Sequence, residues 1–214
     1  MSTIIINGSP KAKHGNTEVI INQFMKDMKV PCEVCYAANK DYRQLAGYLH
    51  QFDTVLFVMP LYIHAMPGIV MKLIECMESA LVPGKAMGFI VQSGFMESAQ
   101  SAYLERYLST IARDLKYTYL GTVIRGGSAG ISMMPESMNK KLFIQLNQLG
   151  SYFESNGSFD QKIAKELGKI QALSKGKCFL FEALGKLGLS DGIFWNGMLK
   201  NNKAFDKRFD KPFA

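Results

Sequence analysis

Four short stretches of this chain, Thr3 to Ile6, Thr54 to Met59, Ala86 to Val91 and Tyr119 to Ile124, are apolar without the polar alternation of a strand that has one wet face. Such runs read as strands covered on both sides. A fifth strand is expected at Cys32 to Ala37, just after Pro31. Helical patterns separate them at Thr17 to Met28, Asp41 to Gln51, Pro67 to Leu81 and Ser98 to Leu115, giving the order β-α-β-α-β-α-β-α-β. Strict alternation implies parallel pairing, because each helix returns the chain to the same end of the sheet. The expected fold is therefore α/β, a doubly wound five-stranded parallel sheet with helices on both faces.

Beyond about Met134 no strand is expected. Helical segments run from Pro135 to Phe153 and from Asp160 to Leu173, and a glycine-punctuated stretch follows from Lys175 to Gly197. We expect a ligand-binding domain over residues 1–155 and a helical C-terminal extension over 156–214, packing on the domain or on a partner subunit. The segment from Phe179 to Leu187 is amphipathic enough to lie against a partner or a membrane interface.

With 48% hydrophobic and 20% charged residues the composition is that of a soluble globular protein. No apolar run approaches the ~18 residues that a spanning helix needs, so no stable membrane insertion is expected. The first residues lack a basic segment and a long apolar run, so no secretory leader is expected. Four cysteines in 214 residues do not make a disulfide framework, and reduced thiols in a cytoplasm are expected. The net charge of +7 favours anions, and charge alone does not choose among nucleic acid, lipid surface and phosphorylated ligand. Its distribution gives one cluster a ligand-like context, since the first seventeen positions hold Lys11, Lys13 and His14 and no acid, and no nucleic-acid partner is expected. The second basic cluster, Lys200, Lys203, Lys207, Arg208 and Lys211, resembles a solvated tail.

In a doubly wound sheet ligands collect beyond the carboxyl ends of the strands, so the loops after the first, third and fourth strands are the ones to inspect. The first, Asn7-Gly8-Ser9-Pro10-Lys11-Ala12-Lys13-His14-Gly15-Asn16-Thr17, joins a buried strand to a helix. Free N–H groups and the positive dipole end of that helix make an anion site. Ser9, Lys11, Asn16 and Thr17 add side-chain donors, and Asn16 or Thr17 is also suited to capping the helix. Neither G-x-G-x-x-G nor G-x-x-x-x-G-K-[ST] is present, which weakens dinucleotide and NTP readings.

The first loop resembles the G-S-P-(x)5-N-T phosphate loop of the NADPH-dependent FMN reductases and related flavodoxin-like NAD(P)H-dependent oxidoreductases. Two further loops extend the likeness. Pro60-Leu61-Tyr62-Ile63-His64-Ala65-Met66-Pro67 resembles the P-x-Y-x(4)-P segment that borders the isoalloxazine, and Gln92-Ser93-Gly94-Phe95-Met96-Glu97 resembles the Ser/Gly-rich turn at the flavin's pyrimidine edge. The resemblance covers residues 3 to 130 and implies a flavodoxin-like fold that binds FMN through Ser9, Lys11, Asn16, Thr17, Pro60, Leu61, Tyr62, Ile63, Ser93, Gly94 and Phe95. It also implies NAD(P)H as co-substrate, a quinone, flavin or similar small acceptor, and a homo-oligomer. No catalytic side chain is expected, because the difficult chemistry belongs to the cofactor. A non-enzymatic electron carrier and a phosphate-binding module without flavin are the alternatives; carriers of this kind are typically acidic, and this chain is basic.

Gly126-Gly127-Ser128, after the fifth strand, can approach the same rim as a simple turn. Cys32 and Cys35 have C-x-x-C spacing. Iron-sulfur flavoproteins of the same superfamily carry a compact four-cysteine cluster after the second strand, but here Cys76 and Cys178 are remote, so no cluster is expected. A redox dithiol normally opens a helix, whereas this pair lies in a strand pattern, and no metal site is expected.

Overall fold

The computed structural model describes residues 2–38, 41–77, 84–96, 98–169, 175–186 and 190–210. The chain divides into two compact units, Met1–Gln171 and Ala172–Ala214. The first is built on five strands, β1 (Thr3–Asn7), β2 (Glu33–Tyr36), β3 (Thr54–Pro60), β4 (Ala86–Gln92) and β5 (Thr118–Arg125). All pair in parallel, in the order β2-β1-β3-β4-β5. The order reverses between β1 and β3, which makes their carboxyl ends the natural ligand crevice.

The connecting helices are α1 (Asn16–Met25), α2 (Tyr42–Leu49), α3 (Gly68–Met77) and α4 (Ala102–Asp114), followed by α5 (Glu136–Asn156) and α6 (Gln161–Leu167). Every residue of β3 and β4 is buried, as expected of central strands without a wet face. Because side chains alternate across a strand, the two faces hold separate cores. Ile4, Ile6, Val55, Phe57, Phe89 and Val91 meet α2, α3 and α4 on one face. Ile5, Leu56, Val58, Ile90 and Val123 meet α1 and α5 on the other.

Helices α1 and α5 approach so closely at Gly150 that a Cβ there would lie 1.7 Å from the carbonyl oxygen of Phe24. Only hydrogen fits that gap. Helix boundaries follow local capping more tightly than periodicity suggests. Asp41 accepts from the N–H groups of Arg43 and Gln44 at 3.0 and 3.1 Å and starts α2 at Tyr42. Asp160 does the same for Lys162 and Ile163, so it caps α6 instead of belonging to it. The run expected as one helix from Ser98 opens as a 3-10 turn, Ser98–Ser101, before α4. The sixth helix, expected to reach Leu173, ends at Leu167, where Gly168 caps it; residues 170–173 and the expected end of the third helix beyond residue 77 lie outside the described residues.

The second unit contains α7 (Lys175–Lys186), α8 (Ser190–Asn201) and a 3-10 turn at Phe205–Lys207. No helix among the described residues is long and apolar enough to cross a membrane.

Candidate functional site

Asn7, at the carboxyl end of β1, is fully buried and organises the loop that follows. Its Oδ1 accepts from Ser9 N at 2.9 Å, while its Nδ2 donates to Ala12 O at 3.3 Å and to Glu18 Oε2 at 2.9 Å. Gly8 N donates to Val58 O at 2.8 Å, anchoring the loop to β3. Within the loop Lys11 N donates to Ser9 Oγ at 3.2 Å and Ala12 N to Ser9 O at 3.0 Å. Glu18 also accepts from the Tyr36 hydroxyl at 2.9 Å. Burial, and then this acceptor, push the Tyr36 phenol up to about 12. Lys13 stands 5.7 Å over the Tyr36 ring, which leaves Lys11 as the loop's lysine in the cleft.

The cleft measures about 250 Å³, a little under the ~300–1,000 Å³ usual for a small-molecule pocket. It lies open beyond the ends of β1, β3 and β4. Ser9, Lys11 and Asn16 border it from the first loop, Pro60, Leu61 and Tyr62 from the second, and Ser93 and Gly94 from the third. Gly15 precedes α1 in an extended conformation with no side-chain cap. The first N–H groups of α1 therefore keep their donor capacity and the positive dipole end beside the cleft.

Three of the expected residues are placed elsewhere. Thr17 is fully buried, with its Oγ1 3.5 Å from Gln92 Nε2, so its hydroxyl does not face the cleft. Ile63 is 96% exposed at the tip of a tight turn in which Tyr62 and Ala65 exchange backbone hydrogen bonds of 2.9 and 3.0 Å. Ile63 and His64 take φ of 49° and 62° there; a β-branched residue in the left-handed region is strained. Phe95 is 66% exposed and does not line the cleft, although its carbonyl accepts from Gly127 N at 2.7 Å and Ser93 Oγ at 3.2 Å. Glu97 lies outside the described residues.

Asn16 lines the cleft but its carboxamide is engaged. Nδ2 donates to Ser128 O at 2.6 Å and Ala129 O at 3.2 Å, and Oδ1 accepts from Ser132 N at 3.3 Å. It caps nothing, since the cap position is Gly15. Instead it ties the start of α1 to the loop after β5. That loop supplies Ala129, Ser132 and Met133 as a further wall. The loop is fixed to its neighbour by Ser128, which is fully buried: its hydroxyl reaches Gln92 Oε1 and Ser93 O, and its N–H donates to Ser93 O at 2.9 Å. A Cβ at Gly126 would lie 2.9 Å from Phe95 O, so the two loops lie too close there for a larger residue.

Sequence reasoning left His14, Gly15 and Gln92 outside its binding set and gave Ala129, Ser132 and Met133 no part. Only the strand-end glycines Gly126 and Gly127 signalled the last group. Away from the cleft, Cys32 packs with the core on the α1/α5 face and Cys35 with the core on the opposite face. Burial first, and then nearby Glu154, raise the Cys32 thiol to about 11, the reverse of what a reactive thiol needs.

No family model matches this chain, and no curated protein matches it either. Solved structures do. An NADPH-quinone reductase from P. pentosaceus aligns with TM-score 0.55 and 19% identity, over 69% of this chain and 96% of its own. The Trp repressor binding protein from Bacillus subtilis aligns with TM-score 0.56 and 16% identity, over 69% and 99%. An FMN-dependent NADH-azoreductase from Bacillus anthracis, solved in complex with FMN, aligns with TM-score 0.52 and 14% identity, over 72% and 100%. The fold is flavodoxin-like. At these identities the likeness shows the flavodoxin-like architecture alone.

Proposed function

We infer that the cleft binds FMN and that the chain is an FMN-dependent oxidoreductase, taking hydride from NAD(P)H and reducing a quinone, flavin or similar small acceptor. The observation that carries this reading is the convergence, in one cleft, of Lys11, the Ser9 hydroxyl and the uncapped start of α1 with the loops after β3 and β4. One cation, one hydroxyl and a set of helix-start N–H groups are the donors a terminal phosphate needs. Gly15 keeps the approach open: a Cβ there would lie 3.2 Å from Lys11 Cβ and 3.3 Å from Ser9 Oγ. The naming of similar structures as quinone reductase and FMN-dependent azoreductase adds support at the level of the fold.

When bound, FMN supplies the hydride transfer. The chain's residues bind and orient. Lys11 and Ser9 hold the phosphate, Pro60 and Leu61 border the ring from one side, and Ser93 and Gly94 offer backbone and hydroxyl groups from the other. Tyr62, 45% exposed, presents an aromatic face where a second ring can enter. No side chain is assigned a proton transfer. A homo-oligomer in the cytoplasm remains part of this proposal.

A second reading, a phosphate-ligand module without flavin, draws on the commitment of Asn16 to Ser128, Ala129 and Ser132 and on the small volume of the cleft. Titrating apo-protein into FMN and following flavin fluorescence separates the two. Saturable quenching is expected, with Lys11→Gln weakening it about tenfold through loss of one charge-assisted contact. Steady-state NAD(P)H oxidation with a quinone then tests turnover. Absence of FMN binding to folded protein overturns the proposal, and binding without turnover points to an electron carrier.

A further inference from the structure

The second unit holds a helix that the oxidoreductase reading does not use. In α7 the residues Phe179, Ala183, Leu180 and Leu184 form a contiguous apolar arc at helical spacing, Lys175 and Lys186 flank its Phe179 edge, and Glu182 and Cys178 lie beyond them. Phe179 is 74% exposed and Leu180 56%. Lys175 precedes Phe179 by one turn and Lys186 follows Ala183 by about one turn, so cations bound both ends of the apolar side. Further on, Phe209 is 81% exposed. The Arg208 guanidinium stands 4.1 Å from the Phe205 ring centre and 4.7 Å from that of Phe209, and Lys200 Nζ stands 5.1 Å from the Phe205 ring centre.

Residues 172–214 carry eight lysines and arginines against four acids, a surplus of four out of the chain's seven positive charges. This unit is one-fifth of the length and bears more than half of the net charge. That balance selects the occupant of the apolar face. A second copy would bring the same positive charge to it, whereas anionic lipid is complementary both to the cations and to the exposed rings.

We propose that the C-terminal unit is a reversible interfacial anchor that docks on anionic lipid headgroups. Phe179 and Leu180 enter the boundary between headgroups and acyl chains, and Phe209 does so beside Arg208. The stems of Lys175, Lys186, Lys200 and Lys203 lie along the apolar surface while their ammonium groups meet lipid phosphates. The helix lies in the plane of the surface and does not span it. This inference is independent of the flavin reading.

The test is co-sedimentation of the full chain with vesicles of phosphatidylcholine alone and of phosphatidylcholine mixed with phosphatidylglycerol. Pelleting is expected with the anionic vesicles, with little on the neutral ones, and is expected to weaken as salt rises. Phe179→Ser with Leu180→Ser should lower partitioning roughly tenfold or more, and Lys203→Glu with Lys207→Glu by a similar factor. The charge pair lies outside α7, so it keeps the test decisive if the serine pair loses helicity by circular dichroism. Equal pelleting on neutral and anionic vesicles, or partitioning unchanged by the charge pair, overturns the proposal. So does a serine pair that converts a dimer to a monomer in sedimentation equilibrium while vesicle binding stays absent.

Discussion

Replacing Asn16 with alanine separates two roles for one residue. As a phosphate donor, Asn16 would matter only when ligand is bound, and Asn16→Ala would leave the ligand-free protein unchanged. The structure predicts the opposite. The carboxamide makes a short bond to Ser128 O, a longer one to Ala129 O, and accepts a third from Ser132 N at 3.3 Å. Weighting the short bond at ~1 kcal/mol and the two longer, exposed ones at ~0.5 kcal/mol each gives a loss of about 2 kcal/mol. Alanine is the better helix former by roughly 0.5 kcal/mol, which offsets part of it.

The expected net cost to the ligand-free first unit is therefore ~1.5 kcal/mol. With a urea m-value near ~2 kcal/mol/M, the midpoint falls by roughly 0.7 M at unchanged m. Hydrogen exchange locates the effect: the amides of residues 128–133 should lose protection while those of β3 and β4 keep theirs. An unchanged midpoint in ligand-free Asn16→Ala, together with a large loss of FMN affinity, would refute the assignment of Asn16 as a tie between loops and restore it as a phosphate donor.

Three further outcomes are expected. Ile63→Asn should stabilise the protein by about 1 kcal/mol, because asparagine tolerates the left-handed conformation at φ 49° and the 96% exposed isoleucine gives up no burial; a lower urea midpoint would count against the strained turn. Gly150→Ala should destabilise by ~2 kcal/mol or more, since α1 and α5 must separate to admit a methyl group 1.7 Å from Phe24 O, and an unchanged melting temperature would contradict that packing. Burial, and then nearby Lys85, hold the His50 imidazole below its ordinary value. The unfolded chain then takes up the proton first, so stability is complete above about pH 6.5 and declines as pH falls from there through the lower folded value. Urea titrations of wild type and His50→Gln across that window should show a shallower decline in the variant, and parallel curves would remove His50 from the acid response.

How much of this was legible in the sequence depended on the range of the interactions involved. Strands such as Thr54–Pro60 are visible because a central parallel strand has no wet face and its residue types say so without reference to anything distant. The same rule located the three loops of the cleft, since the carboxyl ends of the strands follow once the strands do. Within those loops the reading weakened where a side chain's partner lies far along the chain. Asn16 has the chemistry of a phosphate donor and lies next to the cap position, which Gly15 takes, and carbonyls 112 and 113 residues away accept from its amide. Thr17 looks like a hydroxyl for the ligand, yet it is buried at the start of α1 with Gln92, 75 residues away on β4, against its hydroxyl. Motif position points to Ile63 and Phe95, yet a motif does not state which way a turn points, and both are exposed outside the cleft lining. The wall formed by Ala129, Ser132 and Met133 carries no motif, being held by Ser128 against Gln92 and Ser93. Asn16 and Ser128 are thus the two side chains that fix the loop after β5 as a wall of the cleft.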